Sequence, residues 1–300
     1  MTGMNNKKNF KTTGAFFLYV LPALVLYFLF KIWPILYSFI LSFFDWNFVR
    51  SMRWVGLKNY AGMFFREEFQ AALGNTFLYI AGLLPFFLVL PLLFAVMLTG
   101  VKSKSGENIY KALLFLPTIL ALSIICLVWM WMFNPNFGVL NNLFHLFGFD
   151  GFSWLSDKRT ALFSIIFVSG WKFMGAHLIL FYAGLLGISR EYIEAATIDG
   201  ASVWQVFWKI KWPLLSPTTI YIIVTSVIFA AERAFTPINI LTKGGPANTS
   251  TNLSFAIYRF GFEYFNIGLA SAAAIFTSIL FLIITCVMMK TLGGYSYYEN

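Results

Sequence analysis

The sequence predicts an all-α membrane protein with six transmembrane helices, on three observations. The first is composition: of 300 residues, 59% are hydrophobic and only 11% charged. Soluble domains run at about 45–50% apolar and about 25% charged. A globular surface needs more polar cover than this chain holds, so lipid must replace water as the solvent. The second is length: six apolar stretches, near 15–42, 73–99, 109–133, 160–187, 214–241 and 267–291, suit the roughly 20 apolar residues of a helical crossing. The third is period. These stretches do not alternate over about ten residues as the strands of an outer-membrane barrel do.

The first stretch is longer than the apolar run of a cleavable signal, about 7–15 residues, so it is expected to remain as a helix. Lys31 interrupts it, with Pro34 following; a lysine there can snorkel to the outer interface. The tail 1–13 carries Lys7, Lys8 and Lys11 without an acid, and the loop after the second stretch holds Lys102, Lys104 and Lys111 against Glu107. Alternating helices put both segments on one side, and basic loops mark the cytoplasmic side. The loops near 45–71 and 134–159 then face outward, as short helices and turns. Both termini, including 293–300, are cytoplasmic, and 14–292 forms a single membrane domain. The net charge of +9 does not indicate nucleic-acid binding, because the basic residues are scattered among helix ends instead of clustered on one soluble face. Cys126 and Cys286 fall in apolar helices and have no disulfide or metal spacing.

The loop 188–212, ISREYIEAATIDGASVWQVFWKIKW, is too polar to span and too regular for a plain linker. Ser189 can cap a helix whose first turns hold Glu191 and Glu194, near the positive dipole end. Gly200 can end that helix in the left-handed conformation. Val203, Val206, Phe207 and Ile210 then follow at i, i+3, i+4 and i+7, one apolar stripe of a second short helix. Pro213 opens the fifth membrane helix, where a missing N–H costs little. Such a pair can be a rigid protruding knob or an amphipathic pair lying on the lipid surface.

This loop resembles the signature of permease subunits in binding-protein-dependent ABC importers. Glu194-Ala195-Ala196 is followed after three residues by Gly200, after nine more by Ile210, and then by Pro213; Trp212 replaces the family's leucine. Further matches are similar to the maltose and glycerol-3-phosphate group of carbohydrate importers. They are Leu116-Pro117, Asn134-Pro135, Gly138, Asn141, Trp171, Asp199-Gly200-Ala201, Thr242 and Gly244-Gly245-Pro246. The resemblance implies a subunit of the bacterial inner membrane, with 188–212 as a coupling loop in which Glu194, Ala195, Ala196, Asp199, Gly200, Ile210 and Pro213 dock an ATPase. It implies as partners a second homologous permease (usually a different chain), two cytoplasmic ATPase subunits and an extracytoplasmic solute-binding protein. This chain has no G-x-x-x-x-G-K-[ST] phosphate loop, so ATP and Mg belong to the partner ATPase and no cofactor is expected on the chain itself.

Ionisable groups at membrane depth are candidates for the substrate pathway. Lys172 and His177 are placed in the outer half of the fourth helix, and Glu232 and Arg233 in the fifth. The family pattern implies that these helices line the cavity, with an acid often near the position of Arg233. A basic residue there would favour anionic cargo; alternatively, Glu232 neutralises Arg233 or Lys172. Trp171 and Phe173 could stack on a sugar ring or pack in the core, and Asn239 is a further candidate. A membrane-embedded enzyme would need an ordered nucleophile–base pair or metal ligands, and His145 and His177 lie in separate segments. A channel or secondary transporter would have no use for a rigid docking loop.

Overall fold

The computed structural model describes residues 19–292, so the tails 1–13 and 293–300 lie outside the described residues. Four continuous helices are long and apolar enough to cross a bilayer: α1 (Tyr19–Leu41), α3 (Glu67–Thr99), α7 (Ala161–Leu186) and α13 (Ile267–Leu292). Two bent pairs bring the number to six. They are α4 (Lys104–Ile119) with α5 (Leu122–Met132), bent by 96°, and α9 (Val203–Leu214) with α10 (Ser216–Arg233), bent by 62°.

Two units divide the chain. The first comprises Met1–Met63 and Arg259–Phe276. In it α1 exposes nearly its whole apolar surface, with Leu41 its one buried residue. Lys31 does not break α1; it sits in a π-type turn, Phe28–Ile32, inside the continuous helix. After α1 a short antiparallel pair, β1 (Phe44–Asp45) and β2 (Arg53–Trp54), precedes α2 (Lys58–Phe64). Asn59 in α2 donates through Nδ2 to the carbonyls of Ser42 and Phe44, both at 2.9 Å. The β pair is a small departure from the all-helical expectation, confined to two residues per strand.

The second unit comprises Phe64–Tyr258 and Thr277–Asn300. Its centre is α7, the most buried of the four continuous spans. The helix packs against α3 and α4, while α5 packs on α11 (Phe235–Leu241) and α12 (Leu253–Tyr258) on α3. Glycine makes the α4–α7 approach possible: a Cβ on Gly175 would overlap the Leu114 carbonyl and come within 2.8 Å of the Phe115 Cα.

Two sequence expectations need correction here. The third span is not one helix. Leu120 (φ −67°, ψ 148°) and Ala121 (φ −61°, ψ 135°) are extended, so α4 stops at Ile119. Nor does the fifth span open at Pro213. The helix after Gly200 runs on through Pro213 to Leu214, by way of a π-type stretch at Phe207–Lys211. That stretch shifts the backbone pairing just before proline, where the ordinary i→i−4 bond would be missing. The chain turns at Leu215, and Pro217 occupies the first turn of α10. A second break at Ala234 separates α10 from α11.

The segment between α5 and α7 is organised by Asn141, which lies in α6 (Val139–Leu146) and is 2% exposed. Its amide donates to the carbonyls of Pro135 (3.1 Å) and Phe152 (2.9 Å). Its oxygen accepts from Phe152 N–H (3.1 Å) and Trp154 Nε1 (2.7 Å). All four hydrogen-bonding sites of the side chain are used, with both donors and both lone pairs engaged.

Candidate functional site

The loop 188–212 folds as two helices joined at a glycine. Ser189 Oγ accepts from Glu191 N–H at 3.3 Å and caps α8 (Arg190–Ile198). After Asp199, Gly200 takes φ +80°, and Ala201 N–H returns to the Ala196 carbonyl at 2.9 Å. A left-handed residue here closes the helix end, and only glycine takes that conformation without cost. Sequence reading missed the start of the next helix. Ser202 Oγ accepts from Gln205 N–H (3.3 Å), while Gln205 Oε1 accepts from Ser202 N–H (2.8 Å). The Ser-x-x-Gln spacing was the available signal for this capping box.

Nothing on α8 is buried. Glu194, Ala195, Asp199 and Gly200 are exposed and Ala196 is half-buried. Ile198 and Val203, apolar residues on either side of the turn, are 85% and 88% exposed. The expected stripe is therefore not a single buried face: Val206 is buried, Phe207 and Ile210 are half-buried, and Val203 stands clear. The π-type stretch from Phe207 changes the winding, so Ile210 no longer falls where a regular i+7 residue would. Pro213 is half-buried in the continuation of α9.

Near this knob, Glu107 at the start of α4 accepts from Lys111 Nζ at 2.8 Å and from the Tyr182 hydroxyl on α7. The Lys111 ammonium also lies 4.9 Å from the Tyr182 ring centroid. This clasp joins α4 to the end of α7 that leads into the knob. In the sequence Glu107 reads only as a counter-charge, because nothing local reveals a partner 75 residues away.

The membrane-depth candidates separate into two groups. Lys172 is 3% exposed, and its Nζ donates to the carbonyls of Leu120 (2.7 Å), Thr118 (3.1 Å) and Pro117 (3.3 Å). Thr118 Oγ1 donates in return to the Lys172 carbonyl at 2.9 Å. The last carbonyls of a helix have no partner within it. A cation at that end is doubly favourable, as donor and as counter-charge to the dipole. Lys172 thus secures the bend between α4 and α5. Its three donors are directed at backbone carbonyls.

Around Arg233 the structure gathers aromatic rings from three helices. The guanidinium lies 5.4 Å from the centroid of Phe229 and 5.9 Å from that of Phe173. Phe173 and Phe229 meet edge to face at 4.4 Å, and Phe229 meets Phe87 of α3 in the same way at 5.5 Å. His177 stacks on Phe87 at 4.2 Å, with Nδ1 3.1 Å from the Phe173 carbonyl. It is buried and lies beyond the midpoint of α7, in the half toward Leu186, not in the half that begins at Ala161 as expected. Glu232 and Arg233 are both exposed. The ion pairs Glu107–Lys111 and Arg259–Glu263 do not involve Glu232. Trp171 is half-buried and meets Trp129 edge-on at 5.5 Å, which is core packing. Asn239 is half-buried on α11.

A family model described as "Binding-protein-dependent transport system inner membrane component" matches residues 59–293. The chain is 33% identical to a probable ABC transporter permease protein, YesP, of Bacillus subtilis (strain 168), over 97% of this chain and 94% of that protein. It is 32% identical to the sn-glycerol-3-phosphate transport system permease protein UgpA of Escherichia coli O157:H7, over 91% and 92%. A crystal structure of a bacterial ABC transporter involved in importing the acidic polysaccharide alginate superposes with TM-score 0.84 and 26% identity, covering 97% of this chain and 99% of the other. A second, of a bacterial alginate ABC transporter in complex with its alginate pentasaccharide-bound periplasmic protein, gives TM-score 0.81 at 25% identity, with 94% of each chain covered.

Proposed function

The chain belongs to the family of binding-protein-dependent transport system inner membrane components, and from that premise we propose that it forms one half of the pathway of an ATP-driven carbohydrate importer. A solute-binding protein delivers the cargo from outside, and the membrane helices alternate between outward and inward access. Two ATPase subunits bind ATP and Mg and drive the change, and a second homologous permease completes the pathway. The knob 188–212 and both termini lie on the cytoplasmic side.

The observation that carries this reading is the exposed knob. Glu194, Ala195, Asp199 and Gly200 stand exposed and Ala196 half-buried on a capped helix that has no fully buried residue, with Ile193 packing against the core. Ile198 and Val203 present apolar surface beside them. A rigid projection with apolar and small residues and the carboxylates of Glu194 and Asp199 suits a cleft with basic groups in a partner protein. Closure of the ATPase dimer would push on α8, and the capped turn at Gly200 would pass the motion to α9 and α10. The Glu107–Lys111–Tyr182 clasp ties α4 to α7 at the same end.

The cargo reading rests on Arg233. The Lys172 ammonium also lies 4.7 Å from the Phe173 ring centroid, but it donates to carbonyls, which leaves the exposed Arg233, beside Phe173 and Phe229, as the cation to meet a ligand. Sugar rings stack on such faces, and a guanidinium fits a carboxylate or phosphate. We therefore favour a carbohydrate bearing a negative group. The test is uptake into proteoliposomes that contain the complete complex, with the binding protein and ATP supplied. Glu194→Lys and Gly200→Val should abolish ATP-dependent uptake while leaving the chain inserted at normal abundance. Normal uptake by both variants would remove the knob from the mechanism.

A further inference from the structure

Beside the knob lies an open groove of about 640 Å³ between α3 and α9. Leu88, Leu92 and Val96 form part of one wall, and Trp204, Trp208 and Trp212 part of the other. The tryptophans are spaced i, i+4, i+8 and form a contiguous ladder, with ring centroids 5.5 Å apart for Trp204–Trp208 and 5.7 Å for Trp208–Trp212. One lining residue is charged, and it is basic: Lys211, at the end of the π-type stretch. Among the described residues, no carboxylate lines the groove.

We propose that this groove is a binding site for an anionic phospholipid, with an acyl chain along Leu88–Val96 and the phosphate on Lys211. Three features point to that occupant. Tryptophans concentrate at the membrane–water boundary, where an amphipathic ring has an apolar and a wet side. The ladder therefore marks the depth at which a headgroup sits. The α3 wall from Leu88 to Val96 rises by about 12 Å at 1.5 Å per residue, close to one leaflet of a hydrocarbon core about 30 Å thick. A groove of that length fits a chain that enters at the headgroup and runs toward the bilayer centre. Finally, the lone charge is a cation at the level of the tryptophans, and basic pockets between membrane helices take anionic headgroups. A polar cargo molecule would find almost nothing to hydrogen-bond here, and a zwitterionic lipid would gain less from Lys211.

The site holds whichever solute the permease carries, so it stands or falls separately from the cargo reading. Its consequence would be local: a lipid here packs directly against the helix that leads from the knob into α10.

The test uses the complete transport complex in vesicles of phosphatidylcholine, doped with phosphatidylglycerol or phosphatidylcholine that carries a photoreactive acyl chain. After irradiation, labelled peptides are mapped by mass spectrometry. Phosphatidylglycerol should label 88–96 and 203–212 preferentially over phosphatidylcholine. Lys211→Gln should reduce that labelling about fivefold, the loss expected for one basic residue at an anionic surface, and Lys211→Arg should keep it. Leu92→Trp, which fills the groove, should suppress labelling by both lipids. Equal labelling of the wild-type complex by both lipids would overturn the proposal, whatever the variants do. So would lipid labelling confined to other segments of the complex, with none at 88–96 and 203–212.

Discussion

Lys172→Met isolates the energetic role of the buried ammonium, because methionine keeps an unbranched apolar stem and loses the donors. The contacts at 2.7 Å to Leu120 and 3.1 Å to Thr118 are the strong ones; the 3.3 Å contact to Pro117 adds little. Two hydrogen bonds from a charged donor contribute about 1.5–3 kcal/mol each, or about 3–6 kcal/mol together. Removing a cation from membrane depth returns about 2.5–3.5 kcal/mol. The midpoints leave a destabilisation of about 1.5 kcal/mol, concentrated at the α4–α5 bend. Thermal unfolding of the purified complex should shift down by several degrees. Hydrogen exchange should rise at Leu120–Ile125, where the extended residues and the first turn of α5 depend on the clamp. Thr118→Val, which removes the reciprocal bond to the Lys172 carbonyl, should produce a smaller shift at the same place. The reasoning is refuted if Lys172→Met unfolds with the wild type and changes only the cargo concentration needed for half-maximal uptake. That outcome would make Lys172 a cargo ligand.

Arg233→Gln should weaken uptake of an acidic oligosaccharide roughly tenfold or more, the loss of one charge-assisted bond, while a neutral sugar changes little. Equal losses for both cargoes would make Arg233 structural. Asn141→Leu leaves the Trp154 indole, the Phe152 amide and two carbonyls without their partner. We expect a loss of about 2–4 kcal/mol, read as faster exchange of the Phe152 amide; unchanged exchange contradicts the role given to Asn141. Ile198→Cys, placed in a chain whose Cys126 and Cys286 are replaced by alanine, should react with an impermeant thiol reagent from the cytoplasmic side only. Reaction from the outside alone would reverse the orientation.

Much of this protein is legible in one dimension. Lipid solvent requires about 20 apolar residues per crossing, so six stretches could be read from composition without knowing what any of them touches. The knob is equally local. Ser189, Gly200 and the Glu194-Ala195-Ala196 motif act through capping and backbone conformation within a few residues, and the structure forms the helix ends where they indicate. The Ser202–Gln205 box was available on the same terms and went unread.

What tertiary structure alone decided is where the cations of the fourth and fifth spans find their partners. A cation at membrane depth must be satisfied, and Lys172 announced that need in the sequence without naming its answer. The answer lies 52 to 55 residues away, at carbonyls freed by a bend at Leu120 and Ala121 that no local signal showed. Arg233 likewise faces rings of Phe173 and Phe229 instead of pairing with its neighbour Glu232. Adjacent residues on a helix point about 100° apart, so sequence proximity does not determine contact. The direction each side chain faces is set by how α3, α4, α7 and α10 pack, and that depends on residues far apart in the chain.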